Sequence, residues 1–181
     1  AAAYFTNQPP AALAITNDLA NLKLGRLIVS GDAPHTFAGN VLTLTNQFGA
    51  ARLVSENGAH TFNLPVATSA NGLSIEAASL AAIAVTQPIT GPASLIMNPW
   101  TSGGGLVTLG ADNTYTGPTF LGCGTLRVAT LGIGGVPSPL GASSAARANL
   151  LLGPGTLHVT AAGATDRGIT LQAGTGRALT L

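Results

Sequence analysis

The sequence predicts an all-β solenoid, and three observations carry that prediction. Short runs alternating aliphatic residues with Thr recur roughly every ten residues, separated by Gly, Asn or Pro. The runs are also variants of one module: Leu42-Thr43-Leu44-Thr45, Val107-Thr108-Leu109-Gly110, Gly124-Thr125-Leu126-Arg127-Val128, Gly155-Thr156-Leu157-His158-Val159 and Ile169-Thr170-Leu171. Such self-similarity tilts the reading from sandwich or barrel to a stack of repeated units. Finally, charged residues are 7% of the chain, against about 25% in ordinary soluble domains. That leaves a surface of Thr, Ser, Asn and Gly, which suits a long sheet whose hydroxyls and amides face water.

The chain opens with a lead-in segment over residues 1–12, where Pro9-Pro10 forbids helix and ladder pairing. Leu13 to Thr16 reads as a short strand and Asn17-Asp18 as a turn. Leu22 to Ser30 alternates if Gly25-Arg26 is a bulge. His35 to Phe37 and Val41 to Thr45 are expected strands on either side of Gly39-Asn40. Arg52 to Ser55 is another, closed by Glu56-Asn57-Gly58 with its hairpin-like Asn-Gly signal. His60 to Leu64 alternates with Phe62 and Leu64 inward. Residues 74–84 are ambiguous: Ala and Leu favour helix, but the run is short and lacks an amphipathic face, so Ile83 to Thr86 is read as strand. Ser94 to Met97 is a strand, and Gly103-Gly104-Gly105 a flexible corner. Residues 131–148, rich in Gly, Pro and Ser, read as a loop insertion with one helical turn at Ser143 to Ala148. Strands are expected again at 149–152, 155–159, 168–171 and 177–181.

The 181 residues are read as a single solenoid domain with a sizeable core. At about 22 residues per coil they make roughly eight rungs, about 40 Å of axis at the usual strand spacing.

Composition excludes several functions. Net charge is +1, Lys23 is the one lysine and the arginines are scattered. No basic stripe is available for nucleic acid or for an anionic membrane surface. Cys123 is the single cysteine, so neither an internal disulfide nor an all-cysteine metal site can form. Residues 1–4 are not a signal peptide; if the chain is exported, its signal lies upstream or was removed. The uncharged stretch 77–111 is broken by Pro88, Pro92 and Pro99, so it is not a membrane-spanning helix. Aromatics at 4% cannot build the girdles of a membrane barrel.

The most distinctive side chains lie in the polar corner Ala111-Asp112-Asn113-Thr114-Tyr115-Thr116-Gly117, within the run Gly105 to Val128. This run resembles the autotransporter-associated β-strand repeat: Asn113, Thr114, Tyr115, Thr116, Gly117, Thr119, Gly124, Thr125, Leu126 and Val128 fall on its pattern. Pro139-Leu140-Gly141, Gly155-Thr156-Leu157 and Ile169-Thr170-Leu171 look like its continuation. The resemblance implies a right-handed parallel β-helix in a bacterial cell-surface or secreted passenger, often one copy among many. It thereby implies an adhesin or surface fibre.

Asn113 suits an asparagine ladder between rungs or an Asx turn. Tyr115 is expected to lay its ring on the corner with the hydroxyl outward, where a sugar could stack. His35, His60 and His158 lie far apart in sequence and no carboxylate or cysteine accompanies them at ligand spacing. Cys123, flanked by glycines, reads as a small buried residue. A polysaccharide-processing enzyme would need clustered carboxylates, and no two of the six acids are close in sequence. The expectation is a non-enzymatic rod with no cofactor and no metal. Its partners are neighbouring repeats or further copies stacked head to tail. A glycan- or host-protein-binding module is the alternative.

Overall fold

The computed structural model describes residues 1–5, 11–98 and 104–172. Its strands wind in a repeating three-sided order. β1 (Ala2–Phe5), β2 (Leu13–Asn17) and β3 (Lys23–Leu24) make one circuit; β4 (Arg26–Val29), β5 (His35–Gly39) and β6 (Leu42–Leu44) stack on them. β7 (Ala51–Ser55), β8 (Ala59–Asn63) and β9 (Val66–Thr68) follow, then β10 (Leu73–Ala77), β11 (Ala82–Val85) and β12 (Ile89–Thr90). From there the third side has no regular strand among the described residues. The first two sides continue as β13 (Leu95–Met97) and β14 (Leu106–Leu109), β15 (Thr119–Leu121) and β16 (Thr125–Val128), β17 (Leu150–Leu152) and β18 (Thr156–Val159), and β19 (Thr170–Leu171). All pairings between these strands are parallel. They form sheets of eight, seven and four strands around one core. The chain is therefore a parallel β-solenoid.

The core follows from the period-2 alternation. On the first sheet Leu27, Leu53, Ile75, Met97, Leu121 and Leu152 occupy one column, each paired in register with the next. All six are buried. On the second sheet Phe37, Phe62, Val85, Leu109 and Val128 do the same. The rings of Phe37 and Phe62 stack at 4.7 Å and 5°. Like-on-like stacking lets each rung bury its apolar row against the previous one, so stability accumulates between neighbours.

Several local expectations are corrected by the circuit. Gly25 is not a bulge in one strand. It is the corner between the third and first sheets, since β3 and β4 belong to different sheets. Asn57-Gly58 does not close a hairpin: the flanking β7 and β8 lie in separate sheets. The Asn-Gly pair turns the chain there, with Gly58 at φ +68°. The helical reading of 74–84 fails because β10 and β11 pair with neighbours on both sides. Burial in two ladders overrides the weak helix propensity of Ala and Leu. The helical turn in the loop is a 3-10 turn at Arg147–Asn149. Within the lead-in segment, Ala2–Phe5 is a strand paired with β4. Pro9-Pro10, Gly103 and the expected strand at 177–181 lie outside the described residues.

Coil length varies. Leu53 to Ile75 and Ile75 to Met97 are steps of 22 residues. Leu27 to Leu53 takes 26 and Leu121 to Leu152 takes 31. The extra residues leave the circuit at two corners, residues 45–50 and the loop after β16. At the β1–β3 end the core is open: Phe5, Ile15, Leu22 and Leu24 line an apolar recess of about 200 Å³.

Candidate functional site

The corner 111–117 occupies the third side of the solenoid above β12. Thr114 N–H donates to Ile89 O at 3.0 Å and Thr116 N–H to Gly91 O at 3.1 Å, so the corner carries on the third sheet's ladder. Alternation persists through it: Asn113 and Tyr115 are buried, while Thr114 and Thr116 are exposed. The specific residues of the motif are thus the inward ones.

Asn113 ties three levels of the stack together. Its Oδ1 accepts from Ile89 N–H at 2.8 Å in the rung below, and its Nδ2 donates to Pro139 O at 2.7 Å in the cover above. Nδ2 also reaches Ala111 O at 3.2 Å. These bonds run to backbone, so no asparagine ladder is involved. Asn98 does similar work, with Oδ1 accepting from Ala77 N–H at 2.7 Å. Both side chains supply hydrogen bonds where a strand's own ladder stops, which a buried amide requires.

Tyr115 overturns the expectation of an outward hydroxyl. Its side chain is fully buried and its hydroxyl bonds Thr119 Oγ1 at 2.7 Å. Burial raises the phenol pKa far above its ordinary value, and neither the Thr119 bond nor Arg167 cancels that. A sugar cannot stack on this ring. The space for it is made by Gly141, at φ +76°, where a Cβ would stand 2.7 Å from the ring.

A cover closes the corner. Ser138 and Asn113 exchange backbone hydrogen bonds as an antiparallel bridge, and Ala142 N–H donates to Tyr115 O at 2.8 Å. The Gly/Pro/Ser loop is therefore ordered and partly buried, with Ser138, Leu140 and Ser143 inside. Residues 165–167 fasten it. Thr165 Oγ1 donates to Gly132 O, and Asp166 Oδ1 accepts from Gly134 N–H at 2.7 Å. Arg167 is only 6% exposed. It donates to the carbonyls of Leu131, Ile133, Gly141 and Ser143 and to the hydroxyls of Ser138 and Ser143. Burial lowers its pKa, yet a guanidinium stays charged at ordinary pH. The cover is built around a buried cation solvated by neutral oxygens. Sequence reading missed Arg167 because its partners lie 24 to 36 residues away.

The other motif residues are structural too. Gly117 packs against Ala93 and Leu126 is buried in the second sheet's core. Thr125 N–H donates to Gly105 O at 3.0 Å. Gly124 turns the chain at φ +71° where a Cβ would stand 2.5 Å from Gly104 O, so no other residue fits.

Residues flagged for chemistry scatter. His35 and His60 meet inside the core, whereas His158 is exposed beside Arg127 on the second sheet. Cys123 is buried, its thiol toward Asn98 O. Glu76 is held by Arg52 and Ser74. Among the described residues no three His, Cys, Asp or Glu side chains gather as a metal site. No described helix is long and apolar enough to cross a membrane.

Among known proteins, the chain is similar to the Adhesin BmaC autotransporter of Brucella suis biovar 1 (strain 1330). The match is 45% identical over 74 residues, 40% of this chain and 2% of that protein. The matched segment spans only a very small part of that far longer protein. No protein-family model matches it, and no solved structure matches it.

Proposed function

We propose that this chain is a structural β-solenoid segment of a bacterial surface or extracellular adhesin, of the autotransporter-associated repeat type. Its task is mechanical: it extends a rod by stacking on neighbouring coils or on further copies of itself. The observation that carries this reading is the stack itself: parallel strands pair in register from coil to coil around continuous apolar columns, and each coil offers its strand edges to the next. Such edges are templates for further pairing. The similarity to an autotransporter adhesin supports surface location and a non-enzymatic role.

Negative-stain electron microscopy across a dilution series tests it. Rods that persist on dilution are expected, together with their disappearance in Leu22→Lys, which puts a charge at the rim of the recess. Discrete particles of one coil stack at every concentration would overturn end-to-end association. So would rods indifferent to Leu22→Lys.

A further inference from the structure

The circuit is broken outward at one place on the first sheet. Between β3 and β4 the corner is the single residue Gly25, but between β6 and β7 it is residues 45–50. The six-residue corner rises as a lip beside the one-residue corner below it. The step between them is an open groove of about 900 Å³ along the outer face of the first sheet. Tyr4, Arg26, Asn46, Phe48 and Asn71 are among its walls.

Nothing in the fold explains this wall. Phe48 stands at the tip of the lip, 87% exposed, and Tyr4 across the groove is 58% exposed. A solenoid corner needs neither ring, and insertions at corners are where solenoids place function. The lip is nevertheless built rather than loose. Asn46 Oδ1 accepts from Phe48 N–H, Asn46 Nδ2 donates to Ala50 O, and Asn71 Nδ2 from the next corner donates to Asn46 O at 2.8 Å.

The charge in the groove is equally specific. Arg26 and Arg52 are register partners in adjacent rungs, one strand spacing apart. Arg52 is neutralised by a two-point pair with Glu76, which Ser74 also holds. Arg26 has no ion pair and no side-chain hydrogen bond among the described residues. Arg26 acts on Glu76 only at a distance, as a lesser influence that lowers its pKa, so the two guanidiniums share one carboxylate and the groove keeps one net positive charge. A polyphosphate or a heavily sulfated chain asks for a row of cations, and this groove has one. A single carboxylate matches the guanidinium fork. The two exposed rings offer flat faces to the C–H side of sugar rings, and the Asn71 amide oxygen, which no bond among the described residues uses, offers an acceptor for hydroxyls.

We infer that this groove is a binding site for a carboxylated saccharide: Arg26 takes the carboxylate, Tyr4 and Phe48 stack on the sugar rings, and Asn46 and Asn71 line the hydroxyl side. The groove shares Tyr4 of β1 with the end of the stack that the reading above offers to further coils, so its test separates binding from association.

Calorimetric titration of the whole chain with trigalacturonate, and with its methyl ester, tests the site. The experiment is run on the native protein and on Leu22→Lys, so that association between copies cannot imitate or mask binding. Trigalacturonate is expected to bind and the ester, which keeps the sugar but loses the charge, to bind about tenfold more weakly or less. Arg26→Gln should weaken trigalacturonate by about tenfold and Arg26→Lys by less, since lysine keeps the charge without the fork. Phe48→Ala, a change at an exposed tip, should weaken it by about threefold to tenfold. Arg127→Gln on the second sheet should change nothing. Equal binding of acid and ester, no binding of either, or full binding by both Arg26→Gln and Phe48→Ala would overturn the inference. Tighter binding of a glutamate-rich peptide than of trigalacturonate would overturn it in favour of a protein partner.

Discussion

His35 and His60 stack within the core, in adjacent rungs, with ring centroids 5.1 Å apart and planes at 24°. Both are essentially inaccessible to solvent. His60 Nδ1 accepts from His35 N–H at 3.2 Å, and its Nε2 faces Asn57 O at 2.8 Å. An acceptor on one side and a carbonyl on the other select the neutral ring protonated at Nε2. The pair sits in the same column as Ile83 and Val107, so two rungs carry imidazoles where the others carry aliphatic side chains.

His60 makes stability depend on pH. Burial lowers the His60 pKa; the bond to Asn57 opposes that and the neighbouring His35 adds to it. A base with a depressed folded pKa is protonated first in the unfolded chain. Stability is therefore complete above the unfolded value of about 6.5 and falls as pH drops from there toward the folded value. The expected slope is at most about 1.4 kcal/mol per pH unit for this group. Thermal melts between pH 8 and pH 5 should show a falling midpoint below pH 6.5, and His60→Gln should flatten that fall. A midpoint equally pH-dependent in the variant would show that other groups control it.

Asn113 should be the most costly polar residue to remove. Asn113→Ala strands the Ile89 N–H and the Pro139 carbonyl in a buried setting. Each orphaned group costs about 1–3 kcal/mol, so a loss of about 2–4 kcal/mol in urea unfolding is expected. Thr114→Ala, one residue along but facing solvent, should cost under about 0.5 kcal/mol. Similar losses in both variants would mean that the bonds of Asn113 contribute little.

Tyr115 and Gly141 form a second testable pair. Gly141→Ala places a Cβ against the ring and in a left-handed backbone, which should cost more than about 1 kcal/mol. Tyr115→Phe keeps the packing and loses only the bond to Thr119, about 1 kcal/mol. Because burial keeps the phenol protonated, absorbance at high pH should show Tyr115 ionising only as the chain unfolds. Ionisation of both tyrosines in the still-folded protein would contradict the buried placement.

Arg167 is expected to act on the cover alone. Arg167→Met removes the bonds to residues 131–143 while leaving the strand ladders intact. Hydrogen exchange should accelerate at the amides of Gly135, Gly141 and Ala142, and stay slow at Val85 and Leu109. Uniform acceleration along the whole chain would mean that the cover and the coils unfold as one unit.

Particular residues show how far the sequence could be read. Phe62 and Leu64 alternate with polar neighbours, and alternation is a local property, so their inward placement was legible before any partner was known. The repeated Thr-Leu modules pointed to stacking for the same reason. The Asn113–Gly117 motif was found, but its meaning was reversed at Tyr115, since nothing local says which face of a polar corner is covered. The covering residues Ser138 to Ala142 and the pin Arg167 arrive much later in the chain.

The sequence by itself determined the class of structure. Period-2 alternation and small turn residues set an all-β chain, and the repeated Thr-Leu modules tilt it from sandwich or barrel to a stack of short strands with polar outer faces. Only the tertiary structure decided which residues meet, because contact across a solenoid depends on coil length, and the steps range from 19 residues between Leu152 and Leu171 to 31 between Leu121 and Leu152. Each change in step resets the partner of everything downstream. That is why the His35–His60 stack, the buried Tyr115, the enclosed Arg167 and the groove under Phe48 emerge only once the coils are wound.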